Sequence, residues 1–408
     1  MAMLAKLAWR NIWRNRRRTL ITLMSVFFAV ILSTLMMSMK EGMYARMMDS
    51  MIGSFTGYVQ VQSVAYLPDR SLDDSLMLSD SIAQAIAETK GATGWVPRIE
   101  SFALAASDQT TKGAMVVGID PVAEQAHTDM ASRVSEGGYL NADDKAVLIG
   151  SGLARKLGLA VGDTVVLMGM GYQGSTAAGK YPIKGLVKFG NPELSKQLVV
   201  MPLKEAQWYY SAEGMCTDIV VLMDKADHAK KVATALGPHL PSGLVAHDWE
   251  VLMPDLKNMI ETDRKEGYVF MFVLYMVISF GIFGTMLMML AERMHEFGVL
   301  VAVGMKRWRL ALMFWLEVLM LALLGSVLGM VGALPVVSWF YYFPITFGEG
   351  EEFAKMFEEY GMEPVMQSTV DIGVFATQAV VVAAITSVIA LYPMMRLLQL
   401  KAIEAMRS

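Results

Sequence analysis

The stretch Ala291-Glu-Arg-Met-His-Glu-Phe-Gly-Val-Leu-Val-Ala-Val-Gly-Met-Lys-Arg-Trp-Arg309 decides how this chain is read. It is short, basic and amphipathic, and it separates an apolar run ending at Leu290 from another beginning at Leu310. Such a segment is a connector between two membrane helices. On the cytoplasmic side it is a surface on which a soluble partner can push.

Working outward, four apolar runs occupy residues 20–39, 268–290, 310–337 and 372–394, and each is long enough to cross roughly 30 Å of hydrocarbon at about 1.5 Å per residue. They account for a composition that is 54% hydrophobic and 18% charged, with a mean hydropathy of +0.41. Glu317 is the one charge set inside a run. The Lys/Arg bias of the flanks sets orientation. Residues 1–19 carry Lys6, Arg10, Arg14, Arg16, Arg17 and Arg18 with no acid, the connector 291–309 carries Arg293, Lys306, Arg307 and Arg309, and the tail 395–408 carries Arg396, Lys401 and Arg407. The loop 338–371 is acidic, with Glu349, Glu351, Glu352, Glu358, Glu359, Glu363 and Asp371 against Lys355. Both termini and the connector are therefore expected in the cytoplasm, and segments 40–267 and 338–371 outside. The net charge of −4 says little, because charge is sorted by compartment.

The basic start followed by an apolar run resembles a signal peptide, but the run is about 20 residues long and Met36-Met-Ser-Met-Lys40 follows it without a cleavage pattern. An uncleaved anchor is expected. Cys216 is the single cysteine, so no intramolecular disulfide is expected, and no Cys/His cluster points to a metal. Alternation predicts strands at 55–62, 96–105, 112–117, 147–149, 163–168, 197–201 and 218–223, with helices at 79–90, 121–132, 151–157, 203–211 and 225–236. A helix over 249–266 is expected to run directly into the second span. The fold class is thus an α-helical membrane protein with four transmembrane helices and a large α+β extracytoplasmic domain, possessing helical stalks, inserted between helices 1 and 2.

Two phosphate-binding patterns occur: Gly169-Met-Gly-Tyr-Gln-Gly174 and Gly174-Ser-Thr-Ala-Ala-Gly-Lys180. Each needs a helix next, whose N–H groups face the phosphate. Tyr181-Pro182 follows instead, and a glycine-rich loop between strands is expected. His295-Glu296 is half of a zinc-protease motif, with Val299 where the second histidine belongs. No catalytic constellation survives, so the chain is not expected to be an enzyme. Met39, Met43, Met47 and Met51 recur every fourth residue, forming with Met36 a stripe that either packs or offers acyl chains an adaptable surface. Gly325, Gly329 and Gly332 permit close helix approach. Glu317 faces protein or the inner head-group layer, as a coupling or a snorkelling residue. In Trp9-Arg-Asn-Ile-Trp-Arg-Asn-Arg-Arg-Arg18 the rings are expected in the head groups and the arginines on anionic membrane lipid. A span beginning directly afterwards argues against nucleic acid.

With these residues in view, the chain resembles permeases related to FtsX, MacB and the lipoprotein-releasing LolC/LolE subunits. The resemblance is carried by Leu7-Ala-Trp-Arg-Asn-Ile-Trp-Arg-Asn-Arg-Arg-Arg-Thr19, by Arg293-Met-His-Glu-Phe-Gly-Val-Leu-Val-Ala-Val-Gly304 with Glu317, Gly325 and Gly329 beyond it, and by the ending Tyr392-Pro393 to Ile403-Glu-Ala-Met-Arg407. Gly118-Ile-Asp-Pro121 and Val147-Leu-Ile-Gly-Ser-Gly-Leu-Ala-Arg-Lys-Leu-Gly-Leu-Ala-Val-Gly-Asp163 resemble the MacB-type periplasmic domain. The resemblance implies a type VII ABC transporter permease of the inner membrane. It implies pairing with a second permease copy or paralogue and with cytoplasmic ABC ATPase subunits that hold ATP and Mg²⁺. Coupling then falls to Arg293, His295, Glu296, Phe297, Gly298, Gly304, Lys306 and Arg307, with Glu317 in the third span. Met36, Met39, Met43, Met47 and Met51 are the candidate contacts to lipid or lipoprotein cargo. Replacing Glu296, Phe297 and Gly298 is expected to uncouple ATPase stimulation while the protein still inserts. The other functions within the resemblance are MacB-like efflux and FtsX-like activation of a cell-wall hydrolase.

Overall fold

The computed structural model describes residues 2–14, 16–223, 226–347 and 365–399. The chain divides into two compact units, one made of Met1–Tyr44, Ile260–Thr346 and Val365–Ser408, the other of Ala45–Met259 and Phe347–Pro364.

The first unit is a helical bundle. Its helices are Ala2–Arg14, Arg16–Met48, Pro254–Glu292, Met294–Ala302, Arg307–Tyr342, Ile372–Ile389 and Leu391–Leu398. Among the described residues four stretches are long and apolar enough to cross a membrane: Thr19–Gly53, Pro254–Glu292, Arg307–Tyr342 and Ile372–Leu398. A helix meets all its backbone hydrogen-bonding needs within the segment, which is why apolar runs of this length take that form in lipid. The third of them is the packed centre, with Leu310, Phe314, Val318, Leu321 and Ala322 all buried. A Cβ on Gly325 would lie 2.8 Å from Val26 Cβ, and one on Gly329 would lie 2.8 Å from Val30 Cβ and 2.9 Å from the Phe27 carbonyl oxygen. The expected close approach is thus made to the first span, backbone against backbone. Gly329→Leu is expected to cost about 1–3 kcal/mol by overpacking, read as a lower melting temperature in detergent.

The amphipathic start behaves as its pattern dictates. Helix Ala2–Arg14 buries Ala8 and Ile12 and leaves Trp9 and Trp13 exposed, their rings edge to face at 5.9 Å. In the acidic loop, Ile345–Thr346 pairs with Val365–Met366, and Asp371 Oδ1 accepts from the Gly373 N–H at 2.8 Å at the start of the fourth apolar helix. Glu349, Glu351, Glu352, Glu358, Glu359 and Glu363, like Lys401 and residues 403–407 of the tail, lie outside the described residues.

The second unit is α+β, built on a ten-stranded sheet. Strand Ala92–Ala106 organises it. Its first half pairs antiparallel with Asp218–Met223 (Arg98 opposite Asp218), while its second half pairs with Thr111–Ile119 on one edge and Thr164–Met170 on the other. From Thr111–Ile119 the order runs through Leu198–Pro202, Val147–Gly150 and Thr176–Val187 to Thr164–Met170, which returns to Ala92–Ala106 and closes a ring of six strands. Ile99, Val116, Ile149, Leu167, Val199 and Tyr210 fill its core. The other half, with Val59–Ser63, Asp218–Met223 and Leu244–Asp248, buries Val59, Val61, Ile219 and Val221 under Ile82, Ile86, Val232 and Leu236. The long strand belongs to both halves, which is why no boundary between them is marked in the sequence.

Several expected elements differ. Phe55 lies in a π-helix, Asp49–Thr56, and the strand is Val59–Ser63, because Gly57 at φ 79° turns the chain between them. The helix from Pro121 ends at Thr128, where Asp129 adopts φ 48°. The helix expected over 249–266 is two: Trp249–Leu252, capped by Asp248, breaks at Met253, and the next begins at Pro254, which has no N–H to continue the first. The glycine-rich segment is a loop only over 171–175, and its second half is strand. Only the turn Tyr172–Gly174 intervenes before strand Thr176–Val187, which pairs with Thr164–Met170 so that Met168 faces Ala178. No helix follows to receive a phosphate.

One face of this sheet carries a buried polar row. Gln62, Asp218 and Arg98 are register partners across three strands, and all are at most 3% exposed. Burial pushes the Asp218 carboxyl well above the usual carboxylate range, and the nearby Glu100 charge adds to the rise. Burial also raises Glu100, against the pull of Arg98. Carboxyls raised in the folded state bind more protons there than in the unfolded chain, so they stabilise at low pH and that contribution is lost as pH rises past about 4 towards their raised values. This unit is therefore expected to melt at lower temperature at pH 8 than at pH 5.5, by up to about 1.4 kcal/mol per pH unit for each such group. Asp218→Asn should flatten that slope. Asp144, Glu193 and Glu250 are held low by hydrogen bonds from Lys184, Lys196 and Lys257, so what they contribute is present above the ordinary carboxylate range and is lost only as pH falls below it, a separate window.

Candidate coupling site

The connector is a nine-residue helix, Met294–Ala302, set off at both ends. At its start Arg293 leaves helical geometry (φ −108°, ψ 3°), ending the long helix at Glu292. At its end Gly304 takes φ 107°, with Met305 N–H donating to Leu300 O at 3.0 Å and Gly304 N–H to Val301 O at 3.1 Å. That pair of bonds is a Schellman motif, and glycine supplies the backbone conformation it needs. The chain then enters helix Arg307–Tyr342.

The residues singled out in the sequence divide into two sets. Arg293, Phe297 and Gly298 are buried in the bundle. Arg293 Nη1 donates to Glu317 Oε2 at 2.7 Å, both side chains being at most 4% exposed, and its Nε approaches Glu296 Oε2 at 3.5 Å. The Arg293 guanidinium lies 5.2 Å over the Phe297 ring, which meets Phe314 edge to face at 6.2 Å. Glu317 therefore faces protein, and the head-group alternative is set aside. His295, Glu296, Gly304, Lys306 and Arg307 form the outward set with Val299, Val303 and Trp308, Val303 being 83% exposed. Glu296 also pairs with Arg14, which ties the connector to the N-terminal helix. Sequence reasoning left out Arg14, Val299, Val303 and Phe314. For Val303 the available signal was an apolar side chain directly before a glycine in a polar stretch.

The connector thus has two unlike sides. Its inner side is locked to the third span by an ion pair and a ring contact, and its outer side is a half-apolar, half-charged patch. Since Phe297 and Gly298 are internal, replacing them perturbs the bundle itself, so a test of docking belongs on the outward set.

The methionines do not form one open stripe. Met36, Met39 and Met43 are half-buried on helix Arg16–Met48 and Met47 is buried, whereas Met51 lies in the π-helix and lines a cleft of about 590 Å³ in the α+β unit with Phe55, Met115, Leu194 and Met259. The wider π turn takes Met51 off the 3.6-residue period.

Among known proteins, a model of the FtsX-like permease C-terminal region matches residues 268–399, and one of the MacB-like periplasmic core domain matches residues 19–238. An uncharacterised ABC transporter permease of Methanocaldococcus jannaschii is 21% identical over 339 residues, 79% of this chain and 81% of the relative. The lipoprotein-releasing system transmembrane protein LolE of Haemophilus influenzae is 22% identical over 257 residues, 60% of this chain and 62% of that protein. The crystal structure of the periplasmic region of MacB from Actinobacillus actinomycetemcomitans aligns with a TM-score of 0.35 at 14% identity, over 50% of this chain and 95% of that one.

Proposed function

Because the chain belongs to the family of ABC transporter permeases that join an FtsX-like membrane region to a MacB-like periplasmic core domain, we propose that it turns ATP hydrolysis by cytoplasmic partner subunits into motion of its inserted domain. The cargo we assign is lipid or lipoprotein of the inner membrane. The observation that carries the coupling half is the connector: a nine-residue helix between two spans, bound inward through Arg293 and Phe297 and presenting His295, Glu296, Val299 and Val303 outward. In this reading the termini and connector are cytoplasmic, the α+β unit is periplasmic, and ATP and Mg²⁺ are held by the partner. The spans support mechanical transfer better than conduction: their one deep acid, Glu317, is consumed by Arg293 rather than left to line a pathway. The alignment with LolE, a lipoprotein-releasing system transmembrane protein, favours lipid-bearing cargo.

The test is a double charge substitution on the outward face, Val299→Asp with Val303→Asp. Exposed positions of this kind change stability by about 0.5 kcal/mol or less, so insertion and melting temperature should hold. Co-purification of the ATPase and stimulation of its turnover should drop by roughly tenfold or more, since two charges in an apolar contact cost several kcal/mol. Unchanged stimulation would remove the connector as the point of coupling. Mass spectrometry of the co-purifying material then reads the cargo: a lipoprotein or defined lipid supports extraction, and a cell-wall hydrolase supports signalling.

A further inference from the structure

At the basic ends of the first two spans, a cleft of about 400 Å³ opens in the helical bundle between Arg17 and Glu292, floored by Ile21, Thr285, Met288 and Met289. Arg17 is the second residue of helix Arg16–Met48 and Glu292 the last of helix Pro254–Glu292. Both are exposed, and among the described residues neither engages in an ion pair, with the other or with any third group. Their neighbours at this end of the bundle are committed: Arg14 to Glu296, and Arg293 to Glu317 and Glu296. Two opposite charges thus share one cleft without closing on each other.

Each charge sits beside apolar surface, a stripe below Arg17 and the Met288 side chain below Glu292. From Arg17 the same helix face continues through Ile21, Met24 and Phe28, with Phe28 62% exposed, and from Glu292 it continues through Met288, 60% exposed. A soluble anion has no use for the apolar surface, and an uncharged apolar molecule has no use for the charges. The complement is an amphiphile with an anion and a cation in its head and acyl chains below.

We propose that this cleft is a phospholipid site selective for a zwitterionic head group with a phosphate and a primary ammonium, as in phosphatidylethanolamine. The Arg17 guanidinium takes the phosphate through paired N–H donors. The Glu292 carboxylate accepts from the ammonium, whose N–H donors a choline head lacks. The acyl chains lie along Ile21, Met24, Phe28 and Met288. The site depends on the helices crossing a bilayer and not on ATPase coupling, so the two readings stand or fall separately.

The experiment delipidates the full-length protein in mild detergent, offers equal amounts of phosphatidylethanolamine, phosphatidylcholine and phosphatidylglycerol with identical acyl chains, and counts retained lipids by native mass spectrometry. Wild-type protein should retain the ethanolamine lipid over either competitor by about tenfold. Glu292→Gln should erase that preference, and Arg17→Gln should lower retention of all three, both at the wild-type melting temperature. The wild-type competition alone keeps the proposal testable if a variant fails to fold. Equal retention of the three lipids by wild-type protein would mean adventitious annular lipid only and overturn the site. So would loss of all retained lipid on dimerisation, which would assign the cleft to a second copy of the chain.

Discussion

Glu317→Leu is expected to destabilise the bundle by about 3–5 kcal/mol, because it leaves the Arg293 guanidinium buried with no close partner except Glu296 at 3.5 Å. Arg293→Met should cost a similar amount by removing the buried counter-charge of Glu317, which sits ten residues inside helix Arg307–Tyr342, about 15 Å along it. The two together should recover most of the stability, since a buried ion pair and a packed apolar pair of similar volume are close in free energy. Coupling should not recover with it. Arg293 faces Glu317 on one side and Glu296 of the connector on the other, and an apolar pair fills the space without fixing that orientation. The measurements are melting temperature and ATPase stimulation on both singles and the double. A double variant that regains both would reduce the pair to packing.

The sequence shows these sites unevenly, and the reasons are physical. The four apolar runs are legible because crossing hydrocarbon imposes length and the absence of charge on contiguous residues. The connector is legible for the same reason: its ends are fixed by the runs on either side. Which of its side chains turn inward is not. Phe297, Val299, Leu300 and Val301 are apolar around most of the helix circumference, so periodicity assigns no face, and burial of Phe297 beside exposure of Val299 is decided by Phe314, which lies elsewhere in the chain. Glu317 is conspicuous as an acid in an apolar run, but its partner lies 24 residues away and only tertiary structure joins them. In the α+β unit, alternation locates Thr111–Ile119 and Asp218–Met223, while Gly179 and Pro182 disguise strand Thr176–Val187 as a loop. Closure of the six-stranded ring depends on Gly169 lying opposite Ala103, a pairing no local pattern announces.

Arg98→Leu is the second large effect, and it reports on the α+β unit independently of the bundle. Arg98 is fully buried in an apolar strand, where its Nε and Nη2 donate to Glu124 at 3.1 and 2.7 Å and its Nη1 donates to the Phe55 carbonyl at 2.5 Å. The guanidinium also lies 4.6 Å over the Phe55 ring. One side chain therefore binds helix Pro121–Thr128 and the π-helix Asp49–Thr56 to the central strand. Leucine leaves Glu124 buried and uncompensated and orphans a carbonyl, at a cost of about 3–5 kcal/mol. For a unit of this size that is a fall of roughly 6–20 °C in melting temperature. Arg98→Lys keeps the charge but not the forked donors or the flat stack, so it should land between wild type and leucine. Adding Glu124→Leu to Arg98→Leu should return part of the loss by removing the stranded carboxylate. Trp95, three residues earlier in the same strand and 36% exposed, reports the transition by its fluorescence in the full-length protein. A leucine variant that melts with wild type would mean that the strand is held by its apolar neighbours alone.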